Sequence, residues 1–103
     1  MRLIWSDDAI ESVDNTADYI EDIFGTARSL LFYEEVQSRA ESLLQFPKKG
    51  RVDQWLNGGK YEYRSLSVGR LSRLIYRIDG ETIRILYLWN NRRNPVLLRK
   101  MFN

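Results

Sequence analysis

The hydrophobic pattern of this chain changes period part-way along, and that change limits the folds open to it. Across residues 7–24 the apolar positions Ile10, Val13, Ala17, Ile20, Ile23 and Phe24 recur every three or four residues, the spacing of one buried helical stripe. A second stripe follows through Ala27, Leu30, Leu31, Val36, Ala40, Leu43 and Leu44. After residue 60 the pattern alternates residue by residue, as half-buried strands do. The first half must therefore pack as helices against a sheet made by the second.

Local signals set the ends of these elements. Ser6 is a helix N-cap, and Asp7 and Asp8 stand where the helix dipole favours negative charge. Gly25 is a left-handed stop for the first helix, Thr26 a cap for the second, and Pro47 ends that one. So short a break forces an antiparallel helical hairpin. Residues 61–66, 71–78 and 82–89 read as three antiparallel strands, divided by Ser67-Val-Gly-Arg and by Asp79-Gly80, a hairpin signal. The apolar residues 2–5 supply a further strand. The expected fold is α+β: an N-terminal strand, a two-helix hairpin and a three-stranded meander, forming a four-stranded sheet in one domain over residues 1–103. Residues 47–60 lack periodicity and are rich in turn formers, and connections of that length are commonly functional or mobile. Asn94-Pro95 ends the meander, and residues 96–103 form a basic tail with no assigned structure.

Charge divides along the same line. Residues 1–46 hold ten acids and three bases, residues 47–103 four acids and thirteen bases, so a net +2 joins a −7 half to a +9 half. The basic half sets arginines among aromatic and β-branched residues, a surface suited to a polyanion. The acids lie on the helices and read as a solvated face. With no cysteine or histidine, the chain has no disulfide, thiolate or imidazole chemistry, and no metal or cofactor is implied. No run approaches the ~20 apolar residues of a membrane span, and the acidic start is wrong for a signal peptide, so a cytoplasmic protein is expected.

Strand alternation selects which arginines act together. Arg73, Ile75 and Arg77 point to one face of the middle strand, and Leu74, Tyr76 and Ile78 to the face that packs on the helices. Arg64 shares a face with Glu62 and Leu66, and a meander would bring it beside Arg73, lining an arginine-rich concavity away from the helices. Tyr76, Tyr87 and Trp89 read as core residues, Trp55 in the loop as the aromatic that meets a partner, and Glu62 as an ion-pair partner of a neighbouring arginine.

Several segments are shared with a known group of proteins. The Phe46-Pro-x-x-Gly-Arg51 step, the strand Arg73-Leu-Ile-Tyr-Arg77 and the ending Trp89-x-x-Arg92-x-x-Pro95 follow one another in the order found in the RelE/ParE superfamily. From Ile4 to Pro95 the chain resembles these toxins of bacterial type II toxin–antitoxin systems, whose effects are growth inhibition and plasmid stabilisation. The resemblance implies a cognate antitoxin that wraps a segment over the basic groove, with a heterotetramer as one assembly of the pair.

Two activities occur in the superfamily. RelE-like members cut messenger RNA on the ribosome without a metal, and such an enzyme is an endoribonuclease, or mRNA interferase. That pattern puts Arg73 at the central phosphate clamp, Arg64 where those toxins place a strand lysine, and Arg92 or Arg93 after the last strand. Lys60, Arg77, Arg84, Arg93 and Trp55 would line the RNA or target surface. The chain departs from the pattern, because Arg64 cannot lose its proton and no tyrosine follows Tyr87. The base would fall to Glu62, Lys60 or the ribosome. ParE-like members instead poison DNA gyrase and need no catalytic residue. The clamp arginines put RNA cleavage first, gyrase poisoning second and an inactive antitoxin-binding relic third.

Overall fold

The structure of the chain is a computed structural model that describes residues 1–102. Its elements run β1 (Arg2–Trp5), α1 (Asp7–Phe24), α2 (Thr26–Gln45), β2 (Arg51–Val52), β3 (Arg64–Val68), β4 (Ser72–Asp79), β5 (Thr82–Asn90) and α3 (Pro95–Phe102). The strands form one sheet in the order β1-β5-β4-β3-β2. β1 lies parallel to β5 and every other pairing is antiparallel. The α+β architecture and the hairpin of α1 and α2 match the expectation from sequence. The sheet has a fifth strand, because two residues of the 47–60 connection pair with β3 at the edge opposite β1.

Serines of α1 join the helical layer to the sheet. Ser6 Oγ accepts the Ala9 N–H at 3.0 Å, capping α1, and donates to the Leu86 carbonyl at 3.0 Å. Leu86 is the extra residue of β5 at a bulge, where Ile75 faces Tyr87 but Tyr76 faces Ile85. Six residues on, the buried Ser12 Oγ accepts the Leu88 N–H at 2.9 Å. Backbone groups beside the bulge are thereby satisfied from the helix.

The turn between the helices differs in detail from its sequence reading. Gly25 has a positive φ of 93°, as a chain reversal there requires, but its ψ of 171° is extended. Gly25 itself holds the N-cap position of α2, with no side-chain bond. Thr26 is therefore not the cap: it is the first helical residue, and its hydroxyl turns back to Glu21 at 3.3 Å. Small residues at Ala9, Ala17 and Ala40 let the layers approach closely, and Ser29 Oγ bonds the Ala17 carbonyl across the hairpin at 3.0 Å.

The sheet buries both faces. On the helix side Val13, Val36, Leu43, Leu66, Leu74 and Tyr76 form one apolar cluster. On the other side Leu56, Tyr63, Ile75, Trp89 and Leu98 form a second, with Trp55 and Tyr87 packed against it. The expected open, arginine-lined concavity is thus replaced over much of its area by packed side chains from the 53–63 loop and α3. The basic tail supplies that helix. Asn94 Oδ1 accepts the Val96 N–H at 3.0 Å and Pro95 takes the first helical position, so the Asn-Pro pair that closes the meander also opens α3. Full burial of the Leu98 side chain stabilises the docked helix by roughly 2 kcal/mol. Asn103, the last residue of the tail, lies outside the described residues.

Candidate functional site

The arginines singled out from sequence fall into two groups at opposite ends of β4. Four residues separate Arg73 from Arg77, or about 13 Å at strand rise. Arg73 and Arg64 are not neighbours either. Arg64 faces Tyr76 and Leu66 faces Leu74, while Arg73 faces Ser67, so Arg64 lies on the helix side of the sheet and Arg73 on the other. Placing Arg64 beside Arg73 required a register and a face that the hydrogen-bonded ladder does not give.

At one end Arg73 is locked. Its Nε donates to Asp53 Oδ2 at 2.9 Å and its Nη1 to Asn91 Oδ1 at 2.5 Å. Asp53 is buried, and its other carboxylate oxygen accepts the Trp55 N–H at 2.9 Å. Its backbone N–H donates to the Tyr63 carbonyl at 2.8 Å, so this acid ties the loop, β3 and β4 together. Arg73 Nη2 is buried with no hydrogen-bond partner among the described residues. Close by, the Arg93 guanidinium lies 4.6 Å from the centre of the Trp89 ring and reaches the Tyr87 hydroxyl at 3.3 Å. Arg92 is exposed, and its backbone N–H donates to Asn90 Oδ1 at 2.9 Å.

At the other end the charges remain in contact with solvent. Arg77 and Arg84 face each other across β4 and β5, and both give Nε to Asp79 Oδ2, at 3.0 and 2.8 Å. Burial is the largest single influence on Arg77 and works against its charge, but the hydrogen bond and the charge of Asp79, with Tyr63 and Tyr61, together hold the guanidinium above its ordinary pKa. Arg77 also lies 3.9 Å over the Tyr61 ring, and Lys60 Nζ stands 5.3 Å from the same ring. Arg64 bonds Glu62 through Nε and Nη2, at 3.2 and 3.0 Å, and the Gly50 carbonyl through Nη1 at 2.8 Å. Lys48, Tyr61, Glu62, Arg64, Arg77, Ile78 and Asp79 line a cavity of about 250 Å³ here.

The structure therefore brings Glu62, Arg64, Lys60, Arg77 and Arg84 to one end of the sheet and Arg73, Arg92 and Arg93 to the other. Trp55 is half-buried against the second cluster, and its carbonyl accepts Arg99 Nε from α3 at 3.2 Å. Asp53 and Asn91 escaped the sequence reading. The signal for Asp53 was available, an isolated acid in a basic, turn-rich loop that comes before the strand arginines.

Comparison with known proteins decides the family. The model described as "ParE toxin of type II toxin-antitoxin system, parDE" matches residues 3–95. This chain belongs to the ParE toxin family. A solved ParE-related structure agrees: the chromosomal ParDE toxin–antitoxin system from P. aeruginosa superposes with a TM-score of 0.72 at 21% identity, covering 87% of this chain and 95% of that one. At that identity the likeness concerns the fold. No curated protein sequence matches the chain. Among the described residues of this ParE-family chain, no helix is long and apolar enough to cross a membrane.

Proposed function

We propose that this ParE-family toxin acts by binding DNA gyrase and poisoning it, and that a cognate antitoxin restrains it through an intermolecular interface. One observation carries this reading. The arginine that an RNA-cutting site would place at its centre, Arg73, is held by the buried Asp53 and by Asn91, on the opposite sheet face from Arg64. A phosphate clamp needs guanidiniums converging on one point, and these two diverge, with Arg73 Nε and Nη1 already engaged and its unpaired Nη2 buried. The Arg64–Glu62 pair also occupies one of the groups that could serve as base. A toxin that works by occupying a protein surface needs none of this chemistry.

Ribosome-dependent RNA cleavage is the second reading. It draws on the exposed Arg92 and on Arg93, stacked on Trp89 beside Arg73. Induction of the chain in growing cells separates the two. Gyrase poisoning yields linearised plasmid and a DNA-damage response with translated messages intact, and co-expression of a small neighbouring antitoxin frame relieves the growth arrest. Discrete cuts in translated messages over undamaged plasmid overturn the gyrase reading, and undisturbed growth overturns both.

A further inference from the structure

The Arg77–Arg84 end of the sheet is built for more than holding the hairpin. One carboxylate, Asp79, orients two guanidiniums through their Nε atoms, so a positive charge remains over even before Lys48 and Lys60 are counted. The Arg84 side chain is 41% exposed, so this end of the pair faces solvent rather than core. Tyr61 forms an aromatic wall whose ring already carries Arg77 at 3.9 Å. Both arginines are thus fixed in advance, and a ligand that meets them loses little to ordering. The adjoining cavity of about 250 Å³ is open and has room for a single side chain.

We infer that this cradle is a carboxylate-binding site for an acidic peptide segment, with a glutamate or aspartate of the partner held between Arg77 and Arg84. A planar carboxylate suits the planar guanidinium fork. The site is poorly made for a nucleic acid. Base recognition on a sheet surface uses free aromatic faces, whereas the Tyr61 ring is engaged by Arg77 and Lys60. Glu62 and Asp79 at the cavity wall oppose the charge density of a run of phosphates more than that of a single carboxylate. That the peptide belongs to the antitoxin rests on the proposed function; the site does not.

The test is calorimetric titration of the full chain with a short synthetic peptide bearing glutamate at alternate positions, with the glutamine version of that peptide as control. The glutamate peptide binds, added salt weakens it, and the glutamine peptide does not bind. Arg84→Gln weakens binding about tenfold or more, as expected when a charge-assisted hydrogen bond is lost, and Arg84→Lys restores part of it. Arg77→Gln does the same if its circular dichroism shows a folded chain; otherwise Arg84→Gln alone carries the comparison. Equal binding of both peptides, no binding, or an affinity unchanged by Arg84→Gln overturns the inference. So does displacement of the peptide by a single-stranded RNA oligonucleotide at lower concentration than the peptide itself needs. A chain that binds the peptide but leaves gyrase untouched keeps this site and loses the proposed function, and the reverse result does the opposite.

Discussion

The two ends of β4 carry similar residues and treat them in different ways. At one end Arg73 meets Asp53, whose side chain is 2% exposed and bonded to the loop backbone at Trp55. At the other, Arg77 and Arg84 share Asp79, whose side chain is 34% exposed. A buried ion pair is costly to break because the surviving charge cannot be solvated, while an exposed one is screened and contributes little. The first pair therefore serves the fold, and the second stays within reach of solvent. Sequence places these arginines on one strand face and gives no sign of the distinction.

That contrast sets the order of expected effects. Asp53→Ala takes the carboxylate from the Arg73 guanidinium and from the Trp55 N–H, and should destabilise the chain by about 3–5 kcal/mol in urea unfolding. A loss below about 1 kcal/mol would place the Arg73 pair with the exposed ones. Gly50→Ala comes next. A Cβ there would stand 2.6 Å from the Ser65 carbonyl and 2.7 Å from the Tyr76 hydroxyl, which itself accepts the Gly50 N–H and donates to the Pro47 carbonyl. Overpacking of this kind costs roughly 1–3 kcal/mol, read from the same unfolding curves. Asp79→Asn, the counterpart of the Asp53 change, should cost less than about 1 kcal/mol and lose even that at high salt.

The smallest effect is a pH dependence on the helical hairpin. The hydrogen bond from Tyr33 to Asp14, at 2.7 Å, is the main cause that pushes the phenol up to about 12 from 10.0. A raised value in the folded state means the protonated phenol is favoured there. Its contribution is complete below pH 10 and is lost as pH rises through about 12. Absorbance titration of the tyrosines should show a late step that Tyr33→Phe diminishes, leaving the phenol of Tyr76, which burial also raises; a late step unchanged by Tyr33→Phe would disconnect Asp14 from Tyr33.

How much of this was legible in the sequence varies with the physics of each part. The ends of α1 were readable to the residue because a capping serine and two first-turn acids mark its start and Gly25 its end, but of the expected buried stripe only Val13 and Ala17 are buried, while Ile10, Ile23 and Phe24 are exposed. β2 was not, since two residues have no period and pair only because β3 lies beside them. α3 was hidden by reading Asn94-Pro95 as a stop alone, when the same pair caps and starts a helix. For the site, alternation correctly put Arg73 and Arg77 on the face away from the helices. It could not put Arg64 there, because Leu66 two residues on is buried on the helix side and carries Arg64 with it. Nor does one-dimensional spacing reveal that an acid twenty residues before Arg73 folds back to neutralise it.

If this ParE-family chain poisons gyrase by binding, as proposed, it leaves RNA intact. The most direct measurement incubates purified chain with DNA gyrase and relaxed plasmid, and in parallel with ribosomes translating a defined message. Gyrase-dependent DNA cleavage that accumulates with toxin concentration, beside a message of full length, is the expected result. Unaffected gyrase together with a message cut at discrete positions would contradict it.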